Sequence, residues 1–203
     1  MASESSRDVI EIGLTELVER WPKTQSYVDL FSELENESER GAVLLTGAAL
    51  DDALEDLLKN RLVQAKCTDE LFEGTAPLAT FSARINLCFS VGVISATERS
   101  LLHQLKKIRN DCAHVQAIRF HEPPMRDRCL ALKLPYGDVC GSEHPVRHYV
   151  LIAQMLVLIL LWRSSNENLM LSDEPIHSPK RKDGSVVERL SFPVKVPDFP
   201  LRR

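Results

Sequence analysis

Apolar positions recur along the chain at three- and four-residue steps, in blocks broken by proline and glycine, and this predicts a series of amphipathic helices. The clearest block runs from Ser38 to Val63, with Val43, Gly47, Leu50, Leu54, Leu57 and Leu58 in register. Ser38 followed by Glu39 is an N-cap signature, and the small residues Gly47, Ala48 and Ala49 admit a neighbouring helix at close range. The next helix is expected from Leu78 to Gly92, with Pro77 in its first turn and Phe81, Ile85, Cys88 and Phe89 on one side. A third opens at Ser95, where Glu98 completes a capping box, and buries Leu101, Leu102, Leu105 and Ile108. Shorter helices are expected over Val9 to Glu19, closed by Pro22, and over Gln25 to Asn36.

Between Val115 and Glu143 the periodicity weakens, leaving an irregular connection with one helical turn around Arg126 to Leu132. Pro145 then suits the start of a last helix running to about Leu169. Its middle is apolar on every side and so must be enclosed or paired. After Ser172 the composition turns to proline and alternating charge. The reading is an all-α fold: a single-domain helical bundle with an extended or disordered C-terminal tail. Its segments are N-terminal helices over 1–37, the bundle over 38–171 and the tail over 172–203. No internal repeat and no strand-helix alternation argue for anything else.

Composition narrows the class. With 203 residues, 44% hydrophobic and 27% charged, the chain suits one soluble globular core. A formal charge of −4 argues against wrapping nucleic acid over the whole domain, although a local basic patch stays open. No helix-turn-helix with a basic recognition helix is visible, so direct, specific DNA binding is not expected. Five cysteines, an odd number with no C-x-x-C pair, suit a reducing cytoplasm, and the polar N-terminus has no apolar leader pattern. The apolar run Tyr149 to Trp162 falls short of the roughly 20 residues of a membrane span and carries Gln154; it reads as a buried core helix.

Candidate chemistry gathers at the end of the third helix, where Arg109, Asn110 and His114 stand. An imidazole that takes a 2'-hydroxyl proton and a guanidinium that grips phosphate oxygens are what metal-free RNA cleavage requires. On an ideal helix, however, five positions rotate by about 140°, so Arg109 and His114 leave on different faces. They converge only if the helix breaks before His114 or a second chain supplies half of the site. The plainer reading is that the three residues close the helix C-terminus and bond its free carbonyls.

Arg84 lies beside an apolar stripe and needs a partner; Asp51 and Glu55, one turn apart, are the candidates for a structural ion pair. Glu55 has Lys59 as a rival partner, while Asp52 and Asp56 suit a solvated face. Cys140, His144 and His148 have loosely metal-like spacing, which Cys129 would extend. Against this, His144 also suits a place beside the cap before Pro145. Cys112 reads as a small core residue. Without a phosphate-binding loop, a dinucleotide fingerprint, a nucleophile elbow or a zinc-protease motif, no cofactor is expected.

Three segments, ALDDALEDLLKNRLV, LFEGTAPLATFSARINLCFSVGVIS and HQLKKIRNDCAH, resemble in that order the mannitol operon repressor family. The likeness covers roughly Ser38 to His114, with a looser echo in RCLALKLP. It implies an all-helical, self-associating regulator without a recognisable DNA-reading element, acting through protein contacts. The ending IRNDCAH is similar to the Arg-x4-6-His signature of HEPN domains, helical dimers that include RNA-cleaving toxins and inactive binding modules; Arg109, Asn110 and His114 match it. That resemblance implies a site shared across a dimer. The expectations are therefore a cytoplasmic homodimer with a protein partner, the alternative being a metal-independent ribonuclease acting on RNA through Arg109 and His114.

Overall fold

Seven helices and two single turns of 3-10 helix make up all the regular structure among the described residues of the computed structural model, which are 24–115, 117–136 and 142–164. Helix α1 covers Thr24–Glu33 and passes into a 3-10 turn at Leu34–Asn36. Helix α2, Glu39–Lys59, starts where extended Ser38 accepts the Gly41 N–H on its hydroxyl at 3.1 Å. A short α3, Lys66–Asp69, and a second 3-10 turn lead to α4, Phe81–Ser90. Helix α5 is Ala96–His114, α6 is Met125–Leu130 and α7 is Pro145–Ser164.

Helix α4 starts later than the proline suggested. Thr80 is extended and its hydroxyl accepts the Ala83 N–H, while the Leu78 N–H is already held by the Leu71 carbonyl. Pro77 therefore lies in the turn before the helix. At the other end Gly92, with φ of +73°, turns the chain into Val93 and the next cap. There the capping box forms in full: Ser95 Oγ accepts the Glu98 N–H, and Glu98 Oε2 accepts the Ser95 N–H at 2.7 Å.

Helices α2, α5 and α7 build the core. The first and last run parallel, with Glu39 beside His144 at one end and Asn60 and Arg61 bonded to Ser164 and Arg163 at the other. Helix α5 runs against both: Arg40 reaches the Ala113 carbonyl near its end, and Glu98 meets Arg163 near its start. Helix α4 lies antiparallel to α5, joined by Arg99 to Asn86 and by Lys106 to Ser82.

By length and composition α7 could cross a bilayer, yet most of it is buried within the chain. Ile152, Leu156, Val157 and Leu160 are all closed off, each contributing about 1.5–3 kcal/mol on leaving water. Tyr149 is fully buried and its hydroxyl donates to the Leu105 carbonyl of α5 at 3.4 Å. The enclosure that an all-round apolar helix demands is thus supplied within the protomer. The helix expected over Val9 to Glu19, the tail after Ser172 and Cys140 lie outside the described residues.

Candidate functional site

Helix α5 stays helical through His114, its last residue, and Val115 donates its N–H to the Asp111 carbonyl at 2.9 Å. No break before His114 brings its side chain round to Arg109, so within one chain the rotation of about 140° stands. His114 is exposed.

Arg109 is half-buried and engaged with its own chain. Its stem covers Gly47 of α2 so closely that a β-carbon there would stand 2.5 Å from Arg109 Cγ. Its Nη1 donates to Asn110 Oδ1 at 3.1 Å, and its buried Nε has no hydrogen-bond partner. The reading of the three residues as a cap also needs revision. The Ala113 carbonyl is met by Arg40 of α2, and the Asp111 carbonyl by the next turn's backbone.

Arg84 of α4 faces α2. Its Nη1 reaches Asp51 Oδ1 at 2.8 Å, its Nη2 reaches Glu55 Oε2 at 2.6 Å, and its Nε donates to the Leu78 carbonyl at 2.9 Å. Glu55 holds Lys59 as well, at 2.8 Å. The guanidinium is buried while both carboxylates keep some access to water. Burial raises the Asp51 carboxyl above its ordinary range, against the pull of Arg84 and, more weakly, of Arg109. Asp52 is exposed. This constellation fixes α4 against α2, which is structural work.

Of the metal-like spacing Cys140, His144 and His148, Cys140 lies outside the described residues, and the two histidines meet different partners. His148 lies on the buried side of α7, with Nε2 against the Leu132 carbonyl at 2.9 Å. His144 precedes the helix and leaves in another direction. Cys129 and Cys112 are core residues, and burial pushes their thiols up to about 12 and about 11.

His144 instead joins Glu39, which the sequence marked only as part of a helix cap, and His121, which it did not single out. Its Nε2 lies 3.2 Å from Glu39 Oε1, and His121 Nε2 lies 2.9 Å from the same oxygen. Glu39 opens α2, His121 sits in the connection after α5 and His144 precedes α7. The 82 residues between Glu39 and His121 leave no periodic trace; the only local hint was that prolines follow both histidines, Pro123 after His121 and Pro145 after His144.

No family model, no curated protein and no solved structure matches the chain.

Proposed function

We propose that the chain is a helical regulatory protein of the mannitol-repressor type, self-associating and acting through contacts with another protein. The observation that carries this reading is the state of Arg109. Its stem is packed over Gly47, its Nη1 is tied to Asn110, and exposed His114 leaves the helix on another face. These features favour a role for Arg109 in packing over one in an Arg109–His114 pair within a single protomer. The net charge of −4 and the lack of a basic recognition helix favour a protein partner over an operator. Because α7 is taken up inside the protomer, self-association would use other faces, the end of α5 among them.

The second reading is a metal-independent ribonuclease of the HEPN type. It is favoured by one feature, an exposed His114 one turn beyond Asn110 and its bonded Arg109. Here a second chain would bring the missing half of the site, with His114 moving the 2'-hydroxyl proton and Arg109 bracing the phosphorane.

One purified preparation separates the two. Light scattering after size exclusion is expected to give twice the 22.9 kDa chain mass. Gel shifts at physiological salt should show no sequence-selective DNA binding, and RNA incubated in chelator should stay intact. Tight operator binding overturns the regulatory reading. Cleavage to 2',3'-cyclic ends that His114→Ala abolishes would replace it with the nuclease.

A further inference from the structure

Glu39, His121 and His144 converge from three separate segments at the end of the bundle where α2 and α7 begin and α5 finishes. Their candidate ligand atoms all lie within 4.8 Å of one another. Both imidazoles present Nε2 to a single oxygen, Glu39 Oε1, at 2.9 and 3.2 Å, and the two rings stand edge to face with centroids 4.9 Å apart. We propose that these three side chains form a binding site for one divalent transition-metal ion of the zinc class.

The geometry is close to what such an ion needs. Ligand bonds of about 2.0–2.2 Å in a tetrahedral arrangement separate donor atoms by about 3.3–3.5 Å. The two contacts to Oε1 therefore have to widen by a few tenths of an ångström, and the two ring nitrogens, which lie within 4.8 Å of each other, have to close by up to about 1.4 Å, both within the reach of side-chain torsions. Two imidazoles and a carboxylate are a three-ligand zinc set that leaves a fourth position for water. The exposed side of His121, 60% accessible, supplies that opening, while Glu39 and His144 at 26% and 32% form the more sheltered wall.

The surroundings select the kind of ion. Two helix N-termini meet here, and their partial positive charge favours the Glu39 carboxylate and opposes a free cation. A magnesium or calcium ion, which asks for a shell of oxygens, finds one carboxylate and two nitrogens. A metal that bonds imidazole nitrogen directly is favoured.

Without metal, both rings satisfy Oε1 by donating Nε2–H. His144 Nδ1 then faces the Arg147 N–H at a long 3.5 Å, and Ser142 Oγ accepts the His144 N–H at 3.1 Å. Ligation displaces both Nε2 protons. The neutral His144 ring then carries its proton on Nδ1 and can no longer accept the Arg147 N–H, so ligation gives up that long contact. The bound ion would clasp the connection after His114 to the starts of α2 and α7.

The test uses the full chain, stripped with chelator and titrated with Zn²⁺ by calorimetry, with Mg²⁺ as control. One equivalent of zinc is expected to bind and to raise the unfolding temperature, with no magnesium response. His121→Gln keeps a hydrogen-bond donor for Glu39 and alters only an exposed side chain. It should weaken zinc binding by more than the roughly 10–100-fold typical of losing an outer-shell partner, with an unchanged circular dichroism spectrum. Glu39→Gln should weaken it likewise. Absence of zinc binding, or binding that survives both substitutions, as adventitious ligation by exposed Cys67 would, reduces the cluster to hydrogen bonds and overturns the proposal.

Discussion

A buried thiol carries a measurable signature. Burial pushes Cys112 up to about 11, and Cys88 and Cys129 up to about 12, so all three stay protonated in the folded protein at neutral pH. A native-state thiol titration should therefore find Cys67 reactive and these three silent. The folded value of Cys112 lies above its ordinary value of 9.0, so its contribution to stability is complete below pH 9 and is lost as pH rises through about 11. Urea unfolding of the parent should weaken across that window more than unfolding of Cys112→Ala; identical pH profiles would contradict it. Among single residues, what the sequence disclosed was uneven. Arg84 was legible because a cation beside an apolar stripe must find an acid, and the acids one turn apart on α2 were in reach. His121 was not, because it sits in an irregular connection, its partner opens α2, and neither charge nor spacing points across 82 residues. For His144 the i, i+4 spacing to His148 misled: one stands outside the helix, and the other is inside it on the buried face.

At the scale of the element, caps were the most legible feature, since Ser38 and the Ser95–Glu98 box act through neighbours in sequence. Pro77 misled because Thr80, with a hydroxyl that accepts the Ala83 N–H, set the start of α4 instead. The closeness of α2 to α5 was foreshadowed only by the small residues Gly47 to Ala49, and its consequence can be measured. Gly47→Ala would gain about 1 kcal/mol in helix propensity. The new β-carbon would stand 2.5 Å from Arg109 Cγ and 3.1 Å from Arg109 Cβ, near the root of that side chain rather than its free end. Relief requires α5 to back away or Arg109 to leave its place, and overpacking of this kind costs about 1–3 kcal/mol. The clash outweighs the propensity, so chemical denaturation should show a net loss of up to about 2 kcal/mol. A gain in stability would mean that Arg109 swings aside freely and that its packing over Gly47 holds nothing.

Across the whole molecule the two ends of the bundle differ in kind. The end bearing Glu39, His121 and His144 is open to water on the His121 side. The other end is closed by Arg163 of α7, whose Nη1 meets Glu98 Oε1 at 2.7 Å and the Val93 carbonyl at 3.2 Å, and whose Nη2 donates to the Tyr136 hydroxyl at 2.8 Å. Tyr136 donates in turn to Glu98, and Glu98 also serves the cap of α5, so one carboxylate joins a local signal to contacts 65 residues away. Pattern revealed the local half and was silent on the distant half, because an arginine near the end of an apolar helix is equally a dipole complement facing solvent. With Glu98 and Arg163 only 1% and 4% exposed, removing one partner strands a buried charge, and such losses run to about 3–5 kcal/mol. Arg163→Met is therefore expected to destabilise heavily by leaving Glu98 with Tyr136 and a backbone N–H alone. Glu98→Gln keeps a capping side chain and strands Arg163 instead. The double variant removes both charges and should lose clearly less than the sum of the two single losses, the mark of residues coupled through one network. Additive losses in urea unfolding would show that the pair contributes packing and no mutual neutralisation, and the closed end would then be held by its apolar side chains alone.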